Sequence, residues 1–259
     1  APAPPTTAPP IRNKHSRRLS FKLGLPSYFY VRKLYWDMVI AVSLALIQAQ
    51  LSNHIYPLSK PIACPTVVTD STDYPEGDAW LKAAKGLVED YFPIVSTWLA
   101  TEDFKPPKTI TLIVKKGIGP PAYATGDTIT VKAEWISQHP EDLGMIIHEM
   151  THVLQQYPGS SNKPGWLVEG IADYIRWWRY EPELHATKGR TKPDPAKAKY
   201  TDSYRTTAVW LAWCSRTYNM GLVPALDRAM RKREDPMPVF EKLTGKSPDT
   251  LWKEYVESL

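Results

Sequence analysis

The sequence predicts an α+β domain in which a small mixed sheet precedes a mostly helical second half. Segments rich in β-branched residues, bounded by Gly and Pro, occur between Cys64 and Trp135. From Trp135 to the C-terminus, apolar residues instead recur near the helical period of 3.6. Strands followed by a run of helices, without strict alternation, are typical of the α+β class.

The individual elements follow from the same patterns, and no internal repeat interrupts them. We expect two single strands and a hairpin around Gly126-Asp127, at 65–69, 108–114 and 122–132. We expect one long helix between the first two strands and five later helices, at 76–100, 140–157, 164–180, 202–218, 223–233 and 249–258.

Composition and charge exclude several classes of protein. Of 259 residues, 43% are hydrophobic and 23% charged, which is typical of a folded globular chain. The net charge of +5 is unevenly placed, because seven basic residues and no acidic one precede Asp37. The remainder carries 25 basic against 27 acidic residues. The composition of the folded part therefore does not support a basic groove, and no nucleic-acid partner is predicted.

The N-terminal region, 1–62, reads as an extension to a domain at 63–259. It begins with a Pro-rich linker and contains a short uncharged segment, Met38 to Ile47. Ten residues are too few for a bilayer-spanning helix, which needs about 20, but suit a signal-peptide core. We expect a secreted or extracytoplasmic protein; the alternatives are a membrane tether and a buried core helix.

Cys64 and Cys214 are the two cysteines. Their number excludes a disulfide-rich scaffold, and their separation excludes a C-x-x-C zinc site. If the chain is exported they could form one bridge. Two buried free thiols are the favoured reading, because Cys214 lies in an apolar helical stretch.

The strongest functional signal is His148-Glu149-Met150-Thr151-His152. Pro140 and the acidic residues after it favour a helix start, and Pro158-Gly159 favours its end. Four helical residues advance about 400° and roughly 6 Å, so His148 and His152 project from one face and can share one Zn²⁺. Glu149 lies about 100° away, where it can take a proton from a metal-bound water.

A catalytic zinc site needs a third protein ligand and an open position. The next predicted helix supplies Glu169, 17 residues beyond His152, after a turn that folds it back across the first helix. Asp173 lies one turn further on the same face. It could accept the free ring N–H of a ligand histidine and fix its tautomer.

Three segments carry a resemblance to a known family: HEMTHVLQ at 148–155, WLVEGIADY at 166–174 and YRTTAVWLAWC at 204–214. They resemble the basic secretory protein family of zinc peptidases, among the gluzincin-like zincins. The resemblance covers about 64–259. It implies a zincin-like metalloprotease domain with His148, His152 and Glu169 as zinc ligands and Glu149 as catalytic base.

We therefore expect a zinc metallopeptidase, a monomeric hydrolase acting on peptide or protein substrates through a metal-activated water, with Glu149 as general base. Tyr204 is the expected oxyanion donor, with Tyr174 and Tyr200 as rivals. The strand at 128–132 could bind an extended peptide if it lies at a sheet edge; otherwise it is internal. The alternative function is a non-catalytic zinc-stabilised binding or defence protein, for which Glu149 would have no use.

Overall fold

A computed structural model describes residues 61–101, 104–159, 163–181 and 193–259. The described residues all belong to one compact unit. Almost all of the predicted extension, including Met38 to Ile47, lies outside them, so the expectations about secretion and tethering stay predictions. Among the helices of the described residues, none combines the length and apolar composition needed to cross a bilayer.

Four strands form one mixed sheet, and their bounds agree closely with the predicted segments: β1 Thr66–Asp70, β2 Thr109–Lys115, β3 Ala122–Thr125 and β4 Thr128–Lys132. The spatial order is β1-β2-β4-β3. β1 and β4 both pair with β2 in parallel, and β3 pairs with β4 antiparallel. Gly126 makes the hairpin turn possible by adopting a left-handed backbone conformation, with φ of 57°.

Of the two positions left open for the strand at 128–132, the structure shows the internal one. β4 lies between β2 and β3, with Thr130 opposite Ile113 on one side and Tyr123 on the other. The connection from β2 runs out through β3 and returns, which leaves β3 as the outer strand. Ile129 and Val131 of β4 are fully buried, which gives that strand an interior position.

The helices follow as α1 Asp78–Leu99, α2 Ala133–Gln138, α3 Gly144–Gln155, α4 Gly165–Tyr174, α5 Tyr204–Thr217, α6 Leu222–Arg231, α7 Met237–Thr244 and α8 Pro248–Glu257. A short 3₁₀ turn precedes α1, and a π-helical turn, Ile175–Tyr180, continues α4. α1 packs on β1 and β2, and α3 packs on β3 and β4. Since α1 and α3 also contact each other, they lie side by side on the sheet.

α3 is shorter than predicted at both ends. Residues 140–142 form a turn ahead of the helix, where Asp142 accepts hydrogen bonds from Arg176 and from the Trp135 indole. Asp142 therefore binds these two side chains and does not lie in the first turn of the helix. The helix ends at Gln155 because Gln156 adopts a left-handed conformation, with φ of 40°.

α7 was not predicted from the sequence. It has only eight residues and begins beside two prolines, so its apolar periodicity is short. Its buried residue, Phe240, stacks on Trp210 of α5 at 5.1 Å between ring centroids. Cys64 and Cys214 are both free, as favoured, although Cys64 is only partly buried.

Candidate metal centre

Helix α3 carries the two candidate histidine ligands, and a buried ion pair fixes its C-terminal end. The guanidinium of Arg231 donates to the carbonyl oxygens of Leu154 and Leu99, each at 2.8 Å. It also pairs with the fully buried Asp227 at 2.9 Å. Carbonyls at a helix end lack partners within the helix. Arg231 therefore fixes the C-terminal ends of α1 and α3 next to each other.

His148, His152 and Glu169 come together, as the sequence predicts. His148 Nε2 lies 3.2 Å from His152 Nε2 and 3.2 Å from Glu169 Oε2. His152 Nε2 lies 3.4 Å from the same carboxylate oxygen. With metal–ligand bonds of about 2.0 to 2.1 Å, two tetrahedral ligands are about 3.3 Å apart. This nearly equilateral triangle of two imidazoles and one carboxylate could therefore hold a metal ion.

Asp173 stands where the sequence predicts, behind His148. Its Oδ1 lies 2.8 Å from His148 Nδ1, and both side chains are buried. Burial by itself would lower the pKa of His148, but the hydrogen bonds to Asp173 and Glu169 outweigh it and raise that pKa to about 9. Burial would likewise raise the pKa of Glu169, yet hydrogen bonds from His148 and His152 lower it to about 2.

His152 has a partner that the sequence analysis missed. Its Nδ1 lies 2.8 Å from Gln155 Oε1, and Gln155 Nε2 donates to the Val168 carbonyl at 3.0 Å. The spacing could have indicated this partner, because Gln155 lies three residues after His152 and residues three apart on a helix are neighbours. Gln155 is the last residue of the quoted HEMTHVLQ segment.

Glu149 lies beside the triangle and is almost fully buried, at 7% exposure. Burial is the main cause that raises the pKa of its carboxyl group; His148 and His152 oppose it and Glu169 adds to it. The backbone N–H of Ala124 on β3 lies within hydrogen-bonding range of the carboxylate. Glu149 is thus a buried carboxylate of increased basicity that faces the same space as the ligands.

That space is a cavity of about 530 Å³ between β3 and the first turn of α5. His148, Glu149, His152 and Glu169 line it, together with Asp173. Residues 120–124 form the opposite wall. All of the predicted metal and proton-transfer residues therefore face one solvent-filled cleft of a size suited to a ligand.

Of the three tyrosines considered as oxyanion donors, Tyr204 is the one that lines the cavity, which Tyr123 of β3 also borders. The Tyr204 ring stacks over His148 at 6.2 Å between centroids, and 55% of the residue is exposed. The negative charge of Glu169 is the main cause that raises the pKa of its hydroxyl. Its rivals lie elsewhere: Tyr174 is buried in the core, and Tyr200 donates its hydroxyl to Asp249 at 3.0 Å.

The backbone around Tyr204 is strained. Ser203 and Tyr204 have φ of 66° and 46°, a region that residues other than glycine rarely adopt. Such conformations cost about 1 to 3 kcal/mol each and tend to cluster at functional sites. The start of α5 thus presents Tyr204 to the cavity at an energetic cost.

Gly170 explains how Glu169 comes so close to α5. A Cβ at position 170 would lie 2.7 Å from Thr207 Cβ and closer still to its Cγ2. Thr207 is fully buried, and its hydroxyl donates to the Tyr200 carbonyl at 2.6 Å. A glycine at 170 therefore permits the close contact of α4 with α5. No role for this residue is predicted from the sequence.

The fold and the site together define a mixed α+β protein whose cleft contains a two-histidine, one-carboxylate centre beside a buried glutamate. The family model described as "Peptidase of plants and bacteria" matches residues 72–255, which is more than half of the chain. The chain therefore belongs to this family, and its membership indicates a peptidase. Comparison with curated proteins and with solved structures gave no significant match.

Proposed function

We propose that this protein is a zinc-dependent peptidase of the zincin type that hydrolyses peptide bonds in the cleft between β3 and α5. The observation that carries the proposal is the ligand triangle of 3.2 to 3.4 Å with the buried carboxylate of Glu149 beside it. A purely structural zinc site normally uses four protein ligands and needs no such carboxylate. The family supports a peptide substrate.

In this proposal His148, His152 and Glu169 hold the metal. Two imidazoles and one carboxylate are a common ligand set of catalytic zinc. Zinc, when bound, would polarise the substrate carbonyl and lower the pKa of water toward about 7. Asp173 keeps the His148 ring oriented through its 2.8 Å hydrogen bond.

Glu149 is the proposed general base. Its burial favours the neutral carboxylic acid, so that the carboxylate accepts a proton more readily than an exposed one. It would take a proton from the attacking water and later deliver it to the leaving amine. The backbone N–H of Ala124 acts in the opposite direction to burial and moderates the rise in the Glu149 pKa.

β3 offers the substrate a place to bind. On one side β3 pairs with β4, and next to it the Pro121 carbonyl accepts a hydrogen bond from the Lys132 N–H at 2.9 Å. In an antiparallel pair alternate residues bond to the partner, so Ala122 and Ala124 direct their backbone groups outward. An extended peptide can add to such an edge by main-chain hydrogen bonds.

Tyr204 is the proposed donor to the oxyanion. It lines the same cavity as β3, and its hydroxyl has a raised pKa and so remains protonated at neutral pH. A donor held in place stabilises the charge that develops on the carbonyl oxygen during acyl transfer.

Replacing Glu149 by glutamine tests the function. We expect Glu149→Gln to bind one zinc per chain but to lose at least about 100-fold in the hydrolysis of a peptide library, because only proton transfer is removed. Glu89→Gln, an exposed residue of α1, is the matched control and should keep full activity. Equal hydrolysis by Glu149→Gln and the parent would refute the proposal. A parent that binds zinc but cleaves no peptide would favour a binding protein.

A further inference from the structure

We propose that Gln155 is a positioning residue for the metal ligand His152, which it holds in a single tautomer and ties to the helix that carries Glu169. The inference rests on the proposed metal site. It concerns a residue that neither the sequence motif nor the family match assigns to the site.

The Gln155 amide has one possible orientation. Its nitrogen faces the Val168 carbonyl oxygen at 3.0 Å, and a carbonyl oxygen can only accept. The NH₂ group must therefore point to Val168, and Oε1 must point to His152. A flipped amide would place two acceptors against each other.

Tyr157 supports the same orientation. Its hydroxyl donates to Asp227 at 2.6 Å, which leaves its oxygen free to accept. The Gln155 amide lowers the pKa of the Tyr157 hydroxyl, which is the effect of a donor facing that oxygen. Tyr157 therefore agrees with the orientation that Val168 requires, in which the amide oxygen remains for the histidine.

The amide orientation fixes the histidine tautomer. Oε1 of Gln155 can only accept, so His152 Nδ1, at 2.8 Å, must carry a hydrogen. In the neutral ring the other nitrogen, Nε2, then has a free lone pair. Nε2 is the atom that faces His148 and Glu169 at 3.2 and 3.4 Å. Gln155 thus keeps Nε2 of His152 without a hydrogen, so that this nitrogen is available to bind a metal ion.

The same amide also connects the two helices that carry ligands. Gln155 lies on α3, three residues after His152, and Val168 lies on α4, next to Glu169. Gln155 is 2% exposed, so water does not compete strongly for these bonds. A shift of α4 relative to α3 would therefore disturb both the bond to Val168 and the position of the neighbouring Glu169.

An uncharged residue suits this position. Glu149, Glu169 and Asp173 already place three carboxyl groups around the two histidines. A fourth carboxylate at 155 would face the Val168 carbonyl without a hydrogen to donate. The two ligand histidines are therefore held in different ways, His148 by a carboxylate and His152 by an amide.

The test uses the full chain with three substitutions. Gln155→Met keeps the length of the side chain but removes both hydrogen bonds. Gln155→Glu keeps an acceptor for His152 but cannot donate to Val168. Gln156→Gly is the control, because residue 156 is exposed and left-handed, a conformation that glycine adopts without strain.

Two quantities are measured: the Kd for Zn²⁺ by competition with a chelator, and the His152 tautomer in the metal-free protein by ¹⁵N NMR at a pH where the ring is neutral. We expect Gln155→Met to raise the Kd about 10- to 100-fold, as loss of a ligand's hydrogen-bond partner commonly does. Its His152 should also lose the single Nδ1–H signature. Gln155→Glu should keep that signature, and Gln156→Gly should match the parent in both.

Three results would overturn the inference. One is a Gln155→Met protein that binds Zn²⁺ within about 3-fold of the parent, and another is a weakened variant that keeps the parent's Nδ1–H signature. The third is a parent whose His152 is the Nε2–H tautomer, which decides the matter even if Gln155→Met does not fold. A parent that binds no zinc would instead refute the proposed function, and its tautomer would still test Gln155.

Discussion

Replacing Gly170 by alanine tests whether the distance between α4 and α5 sets the position of Glu169. The new Cβ would lie 2.7 Å from Thr207 Cβ, whereas carbon atoms in good contact are about 3.5 to 4.0 Å apart. Either α4 or Thr207 must therefore move by about 1 Å. Thr207 is buried and bonded to Tyr200, so it resists the movement.

We expect the stability lost through overpacking to exceed the stability gained by replacing a helical glycine with alanine. Overpacking a well-packed interior costs about 1 to 3 kcal/mol, while glycine to alanine within a helix contributes about 0.5 to 1 kcal/mol in the other direction. We expect Gly170→Ala to lower the free energy of unfolding in urea by about 0.5 to 2 kcal/mol. It should also weaken zinc binding, because the adjacent Glu169 shifts with α4.

Gly86→Ala is the matched control. A Cβ at position 86, in α1, would meet no atom within 4 Å. The same substitution should therefore stabilise the protein there by about 0.5 to 1 kcal/mol. If Gly170→Ala were as stable as Gly86→Ala and bound zinc like the parent, the reasoning about helix distance would be refuted.

Three other outcomes are expected. Asp173→Ala should weaken zinc binding or peptide hydrolysis about 10- to 100-fold, and unchanged values would leave it a packing residue. Asp227→Ala leaves the charge of Arg231 buried without its partner and should cost about 3 to 5 kcal/mol in urea unfolding; a loss below about 1 kcal/mol would show that the pair does not hold the helix ends. Burial raises the pKa of the Cys64 thiol to about 11 and that of Cys214 further still, so a thiol reagent at pH 7.5 should label the native chain far more slowly than the denatured one. Native labelling at the denatured rate would contradict this.

The sequence was sufficient to predict that the candidate ligands come together, because the spacing within each helix is local. The i and i+4 spacing of His148 and His152 places both rings on one helix face whatever surrounds the helix. Glu169 and Asp173 lie on the following helix with the same spacing. The structure brings all four side chains together, with His148 between Glu169 and Asp173.

The missed features depend on contacts between elements distant in the chain. Gly170 matters because of Thr207, and the end of α3 is held by Arg231, 77 residues beyond Leu154. The position of the strand at 128–132 was left open because a hairpin pattern does not determine which of its two strands pairs with β2. The start of α3 was predicted too early because Asp142 accepts a hydrogen bond from Arg176 and does not belong to the first turn of the helix.

Zinc stoichiometry in purified protein tests the central claim most directly. We predict one Zn²⁺ per chain in the parent by elemental analysis, and loss of tight binding in Glu169→Ala, because two imidazoles alone do not complete the triangle. A parent without bound zinc after incubation with the metal, or a Glu169→Ala protein that holds it as tightly, would contradict the claim that α3 and α4 share one ion.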